Sequence, residues 1–159
     1  ERHALSTLRE EVDLAAILRE VCSQPLGDLH CCRLLAPETI PARVDPVRIR
    51  QLFDNLVENA VKYSPEGGEV IVCAQPSLSS VDVTVTDQGI GIAPEDVPYV
   101  FERFRRGLNV NDRRFPGMGL GLYICRGIVE EHGGRIWATS SQGAGTTIHV
   151  WLPLDQEAE

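Results

Sequence analysis

Two asparagines and a lysine lie at helical spacing within residues 47–64, where apolar residues recur with the period of an amphipathic helix. Asn55 and Asn59 are four residues apart and Lys62 follows three residues later, so the three side chains share one helix face. An amide oxygen suits Mg²⁺, and an ammonium suits a phosphate or ribose oxygen. Two asparagines alone are more often a solvated helix face, but the chain's only lysine lies beside them. The pattern favours a site for a phosphorylated ligand with its magnesium.

A second candidate site begins where a strand-like run ends at Asp87. Valines alternate with threonine and aspartate before it, which predicts a strand with one buried face. Aspartate is common in turns, but here its carboxylate could also accept a hydrogen bond from the exocyclic amine of adenine, where guanine presents a carbonyl. Gly89 and Gly91 follow, keeping the base edge unobstructed, with Ile92 behind them. The ring of Tyr63, at the end of the asparagine helix, offers a flat face on which adenine could stack.

Three glycines alternate with apolar residues where a loop-rich stretch turns into a predicted helix of about residues 120–132. The segment consists of Gly117, Met118, Gly119, Leu120, Gly121 and Leu122. Free backbone N–H groups at a helix start can hold phosphates. No Gly-Lys-Ser/Thr follows and no strand precedes, so the segment is neither a Walker motif nor a Rossmann fingerprint. Alone, it is equally consistent with a flexible junction.

A basic segment lies between these two glycine-bearing motifs. Residues 101–106 read Phe-Glu-Arg-Phe-Arg-Arg, and a polar stretch continues to Pro116. A run of charge is usually a solvated face, and Arg103, Arg113 and Arg114 are interpreted in that way. Phe101 and Phe104 are expected to pack this segment against a partner domain.

In this order the four segments resemble the ATP-binding catalytic domain of sensor histidine kinases, a branch of the superfamily that also contains DNA gyrase and mismatch-repair ATPases. The resemblance covers roughly residues 12–154, and the basic segment corresponds to the phenylalanine box of the kinase branch. The sequence departs from the family pattern at Met118, where a small residue is common, and at Arg105, which replaces a common aromatic residue.

The resemblance implies that the domain binds ATP and Mg²⁺, with Asn59 as the metal ligand and Asp87 as the adenine-recognition residue. Asn55 matches the position where gyrase-type ATPases carry a water-activating glutamate, and an amide cannot act as that base. Arg106 matches the lid arginine that approaches the γ-phosphate, so Asn55 and Arg106 are the candidate catalytic residues. The implied nucleotide-binding set is Asn55, Asn59, Lys62, Tyr63, Asp87, Gly89, Gly91, Ile92, Arg106, Gly117, Met118, Gly119, Leu120, Gly121 and Leu122.

The predicted elements form an α+β fold. A helix-like stretch through Leu5, Leu8 and Val12 precedes Asp13, a predicted N-cap, and Asp45 opens the asparagine helix. Helices grouped against an antiparallel-type sheet predict a two-layer sandwich. The resemblance adds a mixed, mostly antiparallel sheet covered on one face by helices, the Bergerat fold, with a mobile ATP lid. The predicted domains are residues 1–11, the end of a dimerisation helical hairpin or linker, residues 12–154, the catalytic domain, and residues 155–159, a tail.

Composition excludes several other functions. A formal net charge of -8 and a pI near 5.0 argue against a nucleic-acid partner. No run of about 18 apolar residues is present, so we expect no direct membrane contact by this segment. Five cysteines without a C-x-x-C pair fit reduced thiols and a cytoplasmic setting. Whether a longer parent is anchored in the inner membrane stays open.

The resemblance also implies partners. The phosphoacceptor histidine of the family is followed by an acidic residue on a dimerisation helix, whereas His3 is followed by Ala4. We therefore expect the acceptor on a dimerisation domain outside this chain, a homodimeric parent, a response regulator as the next acceptor, and no autophosphorylation of the chain alone. A serine kinase of the anti-sigma type and a nonenzymatic nucleotide sensor are the alternatives on the same fold.

Overall fold

The computed structural model describes residues 8–102, 118–141 and 143–154. The elements in chain order are β1 (Glu10–Asp13), α1 (Leu14–Cys22), β2 (His30–Leu35), β3 (Pro41–Val44), α2 (Pro46–Lys62), β4 (Gly68–Pro76), β5 (Ser80–Asp87), a 3-10 helix (Val97–Tyr99), α3 (Met118–Glu131), β6 (Arg135–Ser140) and β7 (Thr146–Pro153). Arg106, Gly117 and the predicted lid lie outside the described residues.

Five strands form one mixed sheet in the order β2-β4-β5-β7-β6. Strands β2 and β4 are parallel and the other neighbours are antiparallel. Strands β1 and β3 form a separate antiparallel pair. The three α-helices pack against the five-stranded sheet and share one hydrophobic core with it. This confirms the predicted α+β two-layer sandwich with a mostly antiparallel sheet. Among the described helices, none is both long and apolar enough to span a lipid bilayer.

Both predicted helix starts are confirmed by their capping bonds. The Asp13 carboxylate accepts a hydrogen bond from the backbone N–H of Ala15 at 3.0 Å. The Asp45 carboxylate caps α2 through the backbone N–H groups of Val47 and Arg48 at 3.1 and 3.2 Å. Such caps satisfy backbone donors that the first helical turn leaves without partners. Asp45 thereby fixes where the helix that carries Asn55 and Asn59 begins.

Two expectations are wrong, one about secondary structure and one about packing. The helix-like stretch does not continue through Val12, because residues from Glu10 onward form β1 and pair with β3, with Val12 opposite Ala42. A strand this short is determined by its partner more than by its own residues. Phe101, which the resemblance suggests packs toward a partner domain, is 7% exposed and belongs to the core of this domain. Strand β1 also spans the domain boundary predicted between residues 11 and 12.

Candidate nucleotide-binding site

A small pocket opens between the two helices α2 and α3 and the ends of strands β5 and β7. Its lining residues are Leu56, Asn59, Ala60, Tyr63, Val85, Asp87, Ile92, Leu122, Thr146 and Ile148. Most of these side chains are apolar, and the polar ones are few, which is typical of a pocket for a flat organic ligand. Five predicted site residues meet here: Asn59, Tyr63, Asp87, Ile92 and Leu122.

Asp87 is the buried carboxylate of this pocket. It is 6% exposed, and its Oδ1 accepts a hydrogen bond from the backbone N–H of Gly89 at 2.8 Å. Burial raises the pKa of Asp87 to about 6, while hydrogen bonds from the backbone of Gly89 and Thr146 act in the opposite direction. Near neutral pH the side chain is therefore an ionised acceptor held at the pocket wall. Such a group can receive a hydrogen bond from an amine on a ligand.

The glycines after Asp87 serve the fold more directly than the sequence predicts. A Cβ on Gly89 would collide with the backbone carbonyl of Tyr63, so Gly89 permits close packing of this loop against the end of α2. The backbone N–H of Ile90 donates to that same carbonyl at 3.0 Å. Gly91 has a φ of 75°, which favours glycine. Gly89 therefore has a packing role, and the expectation that it also keeps the base edge unobstructed stays a prediction.

Thr146 and its neighbours support the pocket, and the sequence reasoning missed them. The register of β5 and β7 places Thr146 opposite Asp87. Ser140 Oγ accepts a hydrogen bond from the N–H of Ile92 at 2.8 Å and lies 2.9 Å from Thr146 Oγ1. A Cβ on Gly145 would collide with the Asp87 carbonyl. The signal that could have found them is the Gly-Ala-Gly-Thr-Thr run that leads into the last strand.

The other end of the pocket combines Asn59 with the first turns of α3. Asn59 is 8% exposed. A Cβ added to Gly121 would lie 3.8 Å from Asn59 Nδ2, so the two residues face each other across α2 and α3. The described residues contain no group of three His, Cys, Asp or Glu side chains that could hold a metal. An amide side chain beside a helix start can offer its oxygen to Mg²⁺, which takes most of its remaining ligands from phosphates and water.

The remaining predicted residues lie at different places. Asn55 is half-buried and interacts with the thiol of Cys125, whose pKa burial raises to about 12 while Asn55 opposes that shift. Asn55 therefore contacts α3 and does not line the apolar pocket. Lys62 is exposed in the last turn of α2 and does not line the pocket. Met118, Gly119 and Leu120 belong to the first turn of α3.

The fold and this pocket correspond to a known class of ATP-binding domain. Residues 44–156 match the family described as "Histidine kinase-, DNA gyrase B-, and HSP90-like ATPase", and because the match covers most of the chain, the protein belongs to this family. The sensor histidine kinase WalK of Bacillus subtilis (strain 168) is 42% identical over 129 residues, which are 80% of this chain and 21% of the relative. The sensor protein kinase WalK of Staphylococcus haemolyticus (strain JCSC1435) is 40% identical over 152 residues, 92% of this chain and 25% of the relative.

Solved structures agree with this assignment. The mycobacterial sensor histidine kinase MprB is similar at a TM-score of 0.75 and 31% identity, over 93% of this chain and 100% of that one. Full-length ShkA in complex with AMPPNP is similar at a TM-score of 0.82 and 26% identity, over 99% of this chain and 33% of that one. These similarities identify the chain as a histidine kinase ATPase domain of the sensor-kinase type. The chain spans about a fifth to a quarter of the length of the curated relatives described above.

Proposed function

We propose that this chain is the catalytic domain of a two-component sensor histidine kinase, which binds Mg-ATP and donates the γ-phosphoryl group to a histidine on a dimerisation domain, for relay to a response-regulator aspartate. The observation that carries the proposal is the pocket in which buried Asp87 lies at one end and Asn59 faces the start of α3 at the other. A structural relative, ShkA, was solved with the ATP analogue AMPPNP.

Adenine binding follows from the Asp87 end. The ionised carboxylate accepts a hydrogen bond from the exocyclic amine of adenine, whereas the carbonyl of guanine at that position would face it with a second acceptor. Leu56, Ala60 and Ile148 supply apolar surface for the base. The ring of Tyr63 is buried at 7% exposure and lines the same pocket. Selectivity for ATP over GTP is the consequence.

Phosphate binding follows from the Asn59 end. Asn59 would hold Mg²⁺ through its amide oxygen, and the ion supplies charge neutralisation for the phosphates when bound. Gly121, in the first turns of α3, faces Asn59, and the free backbone N–H groups at the start of this helix would bind the phosphates. We assign Lys62 and Arg106 to phosphate oxygens on the basis of the sequence resemblance. Asn55 cannot activate water as a carboxylate could, so the γ-phosphoryl group is retained for a protein acceptor.

The described histidines favour an acceptor elsewhere. His132 is fully buried, and His30 Nε2 lies 2.8 Å from the carbonyl oxygen of Ser64. His149 stacks on Trp137 with ring centroids 5.0 Å apart, and its Nε2 lies 2.9 Å from Thr139 Oγ1. Each of the three is engaged in the fold. These contacts support the proposal that the acceptor histidine lies on a second domain.

Labelled phosphate transfer tests this proposal. The chain is incubated with γ-labelled ATP and Mg²⁺, alone and together with a separately produced dimerisation domain of a sensor histidine kinase. We expect acid-labile label on the added domain and none on the chain alone. Acid-stable label would indicate a serine acceptor, and ATP binding with no transfer would indicate a nucleotide sensor, and either result would contradict the proposal.

A further inference from the structure

A buried histidine joins the beginning of α2 to the end of α3. His132 Nδ1 lies 2.9 Å from the carbonyl oxygen of Ile128, and its Nε2 lies 3.1 Å from the backbone nitrogen of Asp45. A carbonyl accepts and an N–H donates, so Nδ1 carries the proton and Nε2 is the acceptor. Burial lowers the pKa of His132, which agrees with a neutral ring. The imidazole thus bonds both helices in a single tautomer.

The segment that precedes β1 is bound at the same place. The N–H of Leu8 donates to Asp45 Oδ2 at 2.9 Å, and Arg9 Nη2 donates to the carbonyl oxygen of Glu131 at 2.8 Å. Asp45 therefore caps α2 with one carboxylate oxygen and holds the entering chain with the other. We call Leu8, Arg9, Asp45, Glu131 and His132 the junction. It connects three segments that are far apart in sequence.

Charged side chains at and beside the junction are incompletely paired. Arg48 Nη2 lies 3.8 Å from Glu131 Oε1, an ion pair at the edge of contact distance. In the described part of the chain, the buried side-chain polar atoms without a hydrogen-bond partner are Arg9 Nε and Glu131 Oε1 of the junction and Nε of the adjacent Arg48. Unsatisfied buried polar atoms are unfavourable. Stability alone would favour replacing them, so their concentration at one point indicates a further role.

The junction is at the far end of the helix pair that holds the phosphate-binding end of the pocket. Helices α2 and α3 run antiparallel: His132 meets Asp45 at one end, and Gly121 faces Asn59 at the other. Between them, Cys125 Sγ donates to the Leu52 carbonyl at 3.7 Å. A packed helix moves as a unit, so a shift at its last turn reaches its first turn. The register of α3 against α2 sets the relation of Gly121 to Asn59.

We propose that the junction positions the phosphate-binding end of the nucleotide site, with His132 and Arg9 as positioning residues through which the entering chain sets the register of α3 against α2. The inference rests on the proposed ATP-binding function. Asp87 and Thr146 at the adenine end are held by strand pairing between β5 and β7. Loosening the junction therefore weakens interactions with phosphates and leaves adenine binding largely intact.

Titrations with two ligands test the proposal. Arg9→Ala removes the bond to the Glu131 carbonyl, Arg9→Lys retains one donor there, and Arg33→Ala is the control because Arg33 is an exposed residue of β2. Each variant is titrated with ATP plus Mg²⁺ and with adenosine. We expect Arg9→Ala to lose about five- to tenfold in ATP affinity and less than about twofold in adenosine affinity. Arg9→Lys should recover most of the loss, and Arg33→Ala should behave as the wild type.

A second variant keeps the test independent of Arg9. His132→Asn keeps a donor for the Ile128 carbonyl and removes the acceptor for Asp45, and we expect the same selective loss of ATP affinity in its folded form. If His132→Asn does not fold, the two variants of half-buried Arg9 provide the test without it. Equal losses for ATP and adenosine, or unchanged ATP affinity in folded Arg9→Ala, would overturn the inference while wild-type ATP binding stands. A wild-type chain that does not bind ATP would overturn the proposed function and this inference together.

Discussion

At the scale of single residues, Asp87 is a candidate binding group whose negative charge is disfavoured by burial. Its carboxylate is 6% exposed and has two backbone donors, and burial still raises its pKa to about 6. The hydrogen bonds therefore do not offset the loss of hydration completely. A ligand amine that donates to this carboxylate would supply part of the missing interaction. We therefore expect the buried Asp87 carboxylate to have a lower free energy with nucleotide bound than without it.

Replacing the carboxylate tests its role in binding. Asp87→Asn should weaken ATP binding by roughly ten- to a hundredfold, because a charge-assisted hydrogen bond contributes about 1.5–3 kcal/mol. Calorimetric titration of the wild type and the variant with ATP and GTP measures this loss. Unchanged ATP affinity in Asp87→Asn, or equal affinity of the wild type for GTP and ATP, would show that Asp87 does not select adenine.

The same substitution should stabilise the protein without nucleotide. The folded pKa of Asp87, about 6, lies above its ordinary 3.8. The associated stability is therefore present below about pH 4 and is lost as pH rises through 6. At pH 8 we expect the free energy of unfolding of Asp87→Asn to exceed that of the wild type by about 3 kcal/mol. Urea denaturation at pH 8 and pH 4 should show this difference only at pH 8, and a variant that is less stable at pH 8 would contradict it.

Asn59 has a separate prediction, because its ligand is the metal. Asn59→Ala should lower ATP affinity by roughly tenfold with Mg²⁺ and by less than about twofold with a chelator, since one amide oxygen leaves the ion's ligand shell. Glu58→Ala is the matched control, because Glu58 is the exposed neighbour on α2. Equal losses under both conditions would mean that Asn59 supports the pocket without contacting the ion.

At the scale of elements, the sequence predicts helix starts, which depend on adjacent residues, but it does not predict which distant strands pair. Asp13 and Asp45 mark helix starts because capping depends on one short side chain before an apolar period. The sequence does not predict strand β1, because this strand forms by pairing with β3, about 30 residues away. Thr146 was missed for a similar reason, since the register of β5 and β7 places it opposite Asp87. The asparagine face was predicted, but only the packed structure separates buried Asn59 from Asn55, directed toward Cys125.

The contact between the loop after β5 and the end of α2 gives a prediction at this scale. Gly89→Ala should lower the free energy of unfolding by about 1–3 kcal/mol, because its Cβ would collide with the Tyr63 carbonyl and the backbone would have to shift. Gly127→Ala is the control: Gly127 lies within α3 with nothing within 4 Å of an added Cβ. It should gain about 0.5–1 kcal/mol from helix propensity. Urea denaturation of both variants measures the two changes, and a Gly89→Ala protein as stable as the wild type would show that this close approach is not required.

At the scale of the whole molecule, the pocket belongs to both layers of the sandwich. Val85 and Ile148 come from the sheet, Leu56 from α2 and Leu122 from α3. A base in this pocket contacts the sheet and two helices at once. The pocket exists only when the layers are packed, so a nucleotide that binds there stabilises the complete fold.

This coupling predicts a thermal shift. At an ATP concentration of about 100 Kd with Mg²⁺, binding adds about 2.7 kcal/mol to stability, which corresponds to a rise in Tm of roughly 5–10 °C for a domain of this size. At the same ATP concentration, Asp87→Asn should show roughly a third of that rise, because an approximately thirtyfold weaker affinity leaves the ligand only about threefold above Kd. Scanning calorimetry of both proteins, each compared with its own nucleotide-free Tm, separates this effect from the higher starting stability of the variant. The same rise in both proteins would mean that ATP stabilises the fold from a site that does not include Asp87.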